Sequence, residues 1–479
     1  MIKKVCTSTL ILILILINFV LPVSAAVNYD YMLEDNSSGS RRQPIPKSFT
    51  LKNTIFYLGE EVGQMNEPSD IFISEDDNIF VADSGNNRVL KLNLQGNLIQ
   101  VYEEANGKLF KNPQGVYADK DGSIFIADTE NNRVVKLSSK GKYVEEFISP
   151  KSDLLSSDFV FTPRKVSVSS TGYMYVIRHQ WLMSIDAYNN FRGFIGATQV
   201  GFDLGYVIRK IFSNETQKTV MTKREPPSCL SFDLASDGSV YITTVDHNGG
   251  QLKKLNAVGR NVYPKTSFFG EMIVDEKGNL AQPNFMDLVV DDKEIVYLLE
   301  QWSGKIYLYD MEGNNLAVFG GLGEGKGKFQ APSAIDLDSK GNVYVIDSKL
   351  NRIQVYEPTH FMETVIEAVD YYANGEYLDA VKLWNEVISI NENYSLANRG
   401  IAKALMKQKS WEDAMKYYRL ADDKIGYSMA FVKFRHQQFR DHFPLVVISI
   451  IVALILVIII IKHAYGFVRK ELDKYSSII

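Results

Sequence analysis

This chain is poor in the residues that most covalent bracing and much catalysis need. Its 479 residues contain two cysteines, Cys6 and Cys229, which excludes a disulfide framework and any multi-cysteine zinc or iron–sulfur site. Histidine is sparse too. The six (His179, His247, His360, His436, His442 and His463) are scattered along the sequence. There is no excess of positive charge: 52 Lys and Arg face 57 Asp and Glu, for a formal net charge of −5. Nucleic acid is therefore excluded as a partner, since phosphate binding needs a basic face to displace counterions. Apolar residues are not lacking. At 46% they supply real cores, and the length predicts two or three folded units rather than a disordered chain.

Long apolar runs are confined to the ends. Residues 1–26 carry Lys3 and Lys4, then an apolar middle (ILILILINFV), then small residues at Val23-Ser24-Ala25, the order of a cleavable secretory signal. The alternative is an uncleaved anchor. Cleavage would remove Cys6 and leave Cys229 alone. The second run, FPLVVISIIVALILVIIII, spans 443–461 without a charge. As a helix it would be roughly 28 Å long, enough to cross a hydrocarbon core. A buried globular helix is the alternative, but the run has no polar face. Basic residues flank it on both sides, so the positive-inside count decides nothing. The signal breaks the tie: residues before the span are expected outside, and a tail of 462–479 in the cytoplasm.

The region between is repetitive. Pro68 is followed fifteen residues later by Asp83, Pro113 by Asp128 and Pro332 by Asp347. Weaker copies begin at Pro163, Cys229 and Phe285, with Arg178, Thr244 and Glu300 in the place of the Asp. Each of the six copies holds short alternating apolar runs broken by Asp/Gly/Asn turns, as in DKDGSIFIAD and DSKGNVYVID, the pattern of four antiparallel strands. Four-stranded units of this length point to a β-propeller. The phrases DSGNNRV, DTENNRV and DSKLNRI, with FGGLGEGKGKFQAP ahead of the last copy, resemble NHL repeats. The resemblance covers about 50–358 and implies a six-bladed propeller over 48–358, preceded by a linker at 27–47. Copy six stops short of a fourth strand, and residues 54–58 (TIFYL) are expected to supply it and close the ring.

One chemical inference comes from comparing copies. Asp83, Asp128 and Asp347 are followed five residues later by Arg88, Arg133 and Arg352, and Glu300 by Lys305. Where the acid is missing (Arg178, Thr244) the base is missing too (Met183, Gly249). Matched gain and loss predicts structural ion pairs rather than a carboxylate site. The third position of each copy, near the innermost strand, gives a ring of Asp70, Gly115, Lys165, Ser231, Asp287 and Ala334. Its polar members, Asp70, Lys165, Ser231 and Asp287, are candidate ligand-binding residues, with a solvated rim as the alternative. The resemblance also reaches enzymes: gluconolactonase-like propellers hold a divalent metal through carboxylates and an amide, and NHL-type amidating lyases use several histidines. Only His179 and His247 fall in the propeller, and no nucleophile–base spacing is visible. No cofactor is called for, while an all-oxygen calcium site at the mouth stays open. The run Gly320–Gly327 mimics a phosphate loop, but Gly327 stands where the Ser or Thr belongs.

Two further stretches bear on partners. An insertion at 197–226 places Tyr206, Ile208, Ile211 and Phe212 on one stripe, with Arg209, Lys210, Lys218, Lys223 and Arg224 nearby. It reads as a partner-facing loop or as a lid on the propeller. From 361 the periodicity becomes helical. Ala368, Tyr371, Ala380, Trp384 and Val387 recur thirty-four residues later as Ala402, Leu405, Ala414, Tyr418 and Ala421. That period resembles two tetratricopeptide repeats over 361–442, implying a peptide- or protein-binding groove; a plain helical spacer is the alternative. The whole reads as a single-pass, surface-exposed binding or scaffold protein, with a role beside a transporter as one setting. The rival is an extracellular metal-dependent lactonase- or lyase-like enzyme with Asp70 and Asp287 as ligands.

Overall fold

Alternating apolar and polar residues, cut every few positions by Asn, Asp or Gly turns, fold into short antiparallel strands. The computed structural model describes residues 29–36, 39–150, 152, 155, 159–195, 228–245, 250–264, 269–274 and 278–476. The chain divides into two compact units, Met1–Ile366 and Glu367–Ile479. The first is a six-bladed β-propeller. Its innermost strands are Asp70–Ile73, Pro113–Ala118, Pro163–Val168, Cys229–Leu234, Phe285–Val290 and Pro332–Leu337, one per blade. In each blade the next strands follow as antiparallel neighbours, giving four strands in blades one, two and three. Blade four shows three strands among its described residues.

Burial grades across a blade. The second strands of blades one, two, five and six are buried at every position (Ile79–Asp83, Ile124–Asp128, Val296–Glu300, Val343–Asp347), because neighbouring blades cover both of their faces. Outer strands meet solvent, as in Tyr143–Phe147. The cores are correspondingly shared between blades. Phe80 and Val89 of blade one pack with Val116, Ile124 and Ile126 of blade two, and Ile346 and Val355 of blade six with Ile71 and Val81 of blade one.

The ring closes as a composite blade, with a shifted closing strand. Phe49–Ile55 pairs antiparallel with Arg352–Pro358, from Ile353 opposite Ile55 to Pro358 opposite Phe49. The apolar letters at 56–57 mislead: Phe56 and Tyr57 are about half exposed, whereas Phe49, Ile55 and Leu58 are buried.

The segment 27–47, expected as a linker, holds a hairpin instead. Tyr31–Asn36 and Gly39–Pro44 pair with each other, and Tyr31 pairs with Val318, adding two strands to blade five. Ahead of the polar run SSGSRRQ, Tyr31, Met32 and Leu33 are all buried, and Tyr31 and Leu33 join the core of blades four and five. Asn315 accepts from the Leu33 amide at 2.8 Å, and Glu271 accepts from Tyr31, Arg42 and Lys305.

The chain continues as five helices: α1 (His360–Ala373), α2 (Tyr377–Ile390), α3 (Ser395–Lys407), α4 (Trp411–Leu420) and α5 (Lys424–Ser476). Ala380, Trp384 and Val387 on α2 are buried, as are Ala414 and Tyr418 on α4 and Ala421 just beyond it. Each large aromatic meets a glycine of the following helix. A Cβ on Gly400 would fall 2.4 Å from Trp384, and one on Gly426 2.3 Å from Tyr418. Helix α5 runs unbroken from the end of the 361–442 region through the 443–461 span and into the tail. It is long and apolar enough to cross a membrane, and its apolar window lies exposed.

Candidate ligand site at the propeller mouth

The innermost strands run side by side around the ring, and alternate residues of a strand share a face. The starts of the six strands converge on one opening. A cavity of about 590 Å³ sits there, lined by Asp70, Gln114, Lys165, Ser231, Asp287 and Ser333, one from each blade. Gly115 is required where blades two and three approach: a Cβ there would lie 2.5 Å from the Arg164 carbonyl oxygen.

The four candidate residues do come together. Lys165 Nζ donates to Asp287 Oδ1 at 2.8 Å and to Asp70 Oδ1 at 3.3 Å, tying blade three to blades five and one across the opening. Ser231 Oγ donates to Asp287 Oδ1 at 2.5 Å. The other carboxylate oxygens serve as stitches between adjacent blades. Asp70 accepts from the Val116 amide at 3.0 Å, and Asp287 from the Ile335 amide at 2.9 Å. Burial opposes the charge of Lys165, but Asp287 and Asp70 outweigh it and hold its pKa far above the usual lysine value. Burial likewise pushes Asp70 up, against the pull of Lys165.

Two carboxylates of this axis were not singled out in the sequence. Asp233 and Asp336 stand two residues beyond the ring positions of blades four and six. Asp233 accepts from the Val290 amide at 2.9 Å and Asp336 from the Ile73 amide at 2.6 Å, again bridging to the next blade. Burial raises Asp233 to about 6, and raises Asp336 well above the carboxylate range. The period of two along each strand was the signal that leads from the ring to them.

The repeat's acid–base motif has a second use. Arg88 Nε meets Asp83 at 2.7 Å and Arg133 Nε meets Asp128 at 2.8 Å. The other oxygen of each Asp accepts a backbone amide seventeen residues upstream, from Asn66 and Lys111, both at 2.7 Å. Asp347 accepts from the Gln330 amide at 2.9 Å and, on its other oxygen, from the Ala331 amide at 3.1 Å. Each motif thus clamps the loop leading into its own blade. Arg352 lies a looser 3.9 Å from Asp347 and donates to the Lys328 carbonyl at 2.8 Å. The expected Glu300–Lys305 pair is corrected. Glu300 is longer by one methylene and turns to the amides of Asn284, Trp302 and Ser303, while Lys305 reaches Glu271 at 3.0 Å. The asparagine before each arginine (Asn87, Asn132, Asn351) adopts left-handed φ of 49–56°, which asparagine tolerates better than most residues.

His179 occupies a similar left-handed turn (φ 53°) and is exposed. His247, Gly249 and the 197–226 insertion lie outside the described residues. Cys229 is buried, and burial pushes its thiol up to about 12, which leaves no reactive thiolate. Among the described residues, no group of three or more His, Cys, Asp or Glu side chains is arranged to hold a metal.

A model of the NHL repeat matches residues 110–137, the stretch from Phe110 through the third strand of blade two. The NHL resemblance is shown there, on a six-bladed ring. No curated protein matches the sequence. Solved structures with a similar fold include a streptogramin B lyase (13% identity, TM-score 0.41, 65% of this chain and 98% of that one). Virginiamycin B lyase from Staphylococcus aureus is similar at 12% identity (TM-score 0.40, 65% and 100%). A gluconolactonase from Xanthomonas campestris is similar at 8% (TM-score 0.39, 61% and 86%). At these identities the likeness is one of fold alone.

Proposed function

We propose that this chain is a membrane-tethered binding protein that exposes its propeller outside the cell and captures a ligand or exported partner at the propeller mouth. The observation that carries this reading is the 590 Å³ cavity walled by all six blades, in a chain that also has a helix fit to span a membrane. Ligand pockets of a few hundred Å³ at such a convergence are the usual binding sites of closed β-folds. The signal-like order of residues 1–26 supports a propeller outside and a 462–479 tail in the cytoplasm. The thirty-four-residue spacing of buried small and aromatic residues on α2 and α4 supports tetratricopeptide-like helices that recruit a second protein near the membrane, a transporter being one such companion.

The metal-dependent lactonase- or lyase-like reading asks Asp70 and Asp287 to ligate a divalent cation. The Lys165 ammonium stands between them and both also hold backbone amides, so that chemistry would first have to dismantle the inter-blade stitching.

The test is affinity purification of the full-length protein from crosslinked, detergent-solubilised membranes, beside a Gln114→Trp variant that fills the mouth. A near-stoichiometric companion recovered with the first and lost with the second is expected. Recovery of the protein alone, or a companion indifferent to Gln114→Trp, would overturn capture of an exported protein at the mouth.

A further inference from the structure

The mouth contains one cation whose charge nothing described answers. Arg164 is the second residue of blade three's inner strand, beside Lys165, and it lines the cavity. A guanidinium has five N–H donors. The one side-chain hydrogen bond Arg164 makes among the described residues is from Nη1 to the His179 carbonyl oxygen at 3.3 Å, and no carboxylate there lies within ion-pair distance of it. Lys165, by contrast, is neutralised by Asp70 and Asp287. The other charges on the rim, Lys349 and Glu67, are exposed and solvated. Burial disfavours the charged guanidinium and lowers its pKa, a cost that an incoming anion would remove.

The walls of the mouth differ around the ring. At the equivalent position, blades four and five carry Leu230 and Met286. Blades six and one carry Ser333 and Ser69, whose hydroxyls are already spent on the Pro68 and Gln114 carbonyl oxygens. The mouth thus offers a planar cationic fork next to an apolar wall, and a fork of this kind pairs two N–H bonds with the two oxygens of a carboxylate.

We propose that the mouth binds an organic carboxylate with an apolar body, its carboxylate on Arg164 and its body against Leu230 and Met286. The inference rests on the mouth being the ligand site. A free small acid and the C-terminus of a peptide share this chemistry.

Calorimetric titration of the full-length protein in nanodiscs of neutral phospholipid tests it. The probes are 4-phenylbutyrate, its uncharged amide, inorganic phosphate, and an acetylated tripeptide ending in Phe with a free carboxylate. Phenylbutyrate or the tripeptide should bind roughly tenfold or more tightly than the amide, the scale of a charge-assisted hydrogen bond. Either acid supports the proposal, and the tighter one names the source. Arg164→Gln should bring the acid down to the level of the amide without lowering the thermal midpoint, because it removes an unanswered cation. A merely structural arginine would lower that midpoint on removal. Leu230→Asn should weaken the acids and leave Arg164 in place. The proposal is overturned by equal binding of acid and amide, by phosphate matching the acids, by acid binding that survives Arg164→Gln, or by no binding at all. Should it fail while crosslinking still yields a companion dependent on the mouth, capture stands and the ligand class falls. If that dependence on the mouth is missing as well, both fall.

Discussion

At the residue scale, the repeat's acid–base motif acts as a clamp with three jaws: a carboxylate, a guanidinium, and the backbone of the loop upstream. Asp128 and Arg133 show it most fully, with 0% and 3% of their side chains exposed. Removing one charge of a buried pair strands the other, which typically costs about 3 kcal/mol or more. Asp128→Asn keeps the size and the acceptor for Lys111 but leaves Arg133 with Glu146 alone, at 2.8 Å, so it should destabilise the propeller by about 2 kcal/mol in a denaturant titration, the scale of a lost charge-assisted hydrogen bond. The same change at Glu75, whose bridge to Lys120 is exposed on both sides, should leave the midpoint unchanged. The ion pairs were legible because acid and base vanish together between copies. The amide half of the clamp was not, because backbone donors have no letter in the sequence. For the same reason Glu300 misled: its side chain is one methylene longer, which decides which donors it reaches.

At the scale of elements, the N-terminal hairpin was the least legible feature and is among the most firmly tied. Composition marked 27–47 as a linker, yet Tyr31 and Leu33 are core residues and Asp30 accepts from both the amide and the hydroxyl of Ser48, at 2.8 and 2.9 Å. Glu271 gathers Tyr31, Arg42 and Lys305 onto one carboxylate, and these partners hold its pKa down despite burial. Glu271→Gln should therefore destabilise by about 2 kcal/mol, the scale of lost charge-assisted hydrogen bonds. It should also make the 29–44 amides exchange faster with solvent while those of blade two stay unchanged. Equal acceleration in both places would show that the hairpin has no separate hold. The six inner strands, by contrast, were readable from the first, since their period, turns and fifteen-residue spacing agree at every copy.

At the scale of the whole molecule, the axis of the propeller is lined with carboxylates that burial keeps from ionising easily. Asp233 is raised to about 6, against an ordinary value of 3.8, and Asp336 is raised well above that value. A folded pKa above the unfolded one means that the folded state holds more protons in between. The associated stability is fully present below about 4 and is lost as pH rises through about 6. Carboxylates held low work the other way, but in a lower window; Asp186, held by Asn190, titrates at about 2. The propeller should thus melt at a higher temperature at pH 5 than at pH 7, and then lose stability below about 4. Asp233→Asn should flatten the rise between 7 and 5, and a midpoint that falls steadily from 7 to 5 would contradict the assignment. The ring of polar residues could be drawn from the sequence, but its role could not: only the folded ring reveals that these carboxylates hold neighbouring blades together.

The composite sixth blade also governs how the chain is made. Phe49 leaves the ribosome early, but its partner Pro358 follows some three hundred residues later. At 5–20 residues per second, that is a wait of roughly 15–60 s. Throughout it, the Phe49–Ile55 edge has no partner and the ring is an open arc. Blades one to three can settle in order of synthesis, while the last joint depends on the most distant pairing in the fold, the kind that slows folding most. A cell that makes this protein must guard one short strand for the whole time it builds the rest.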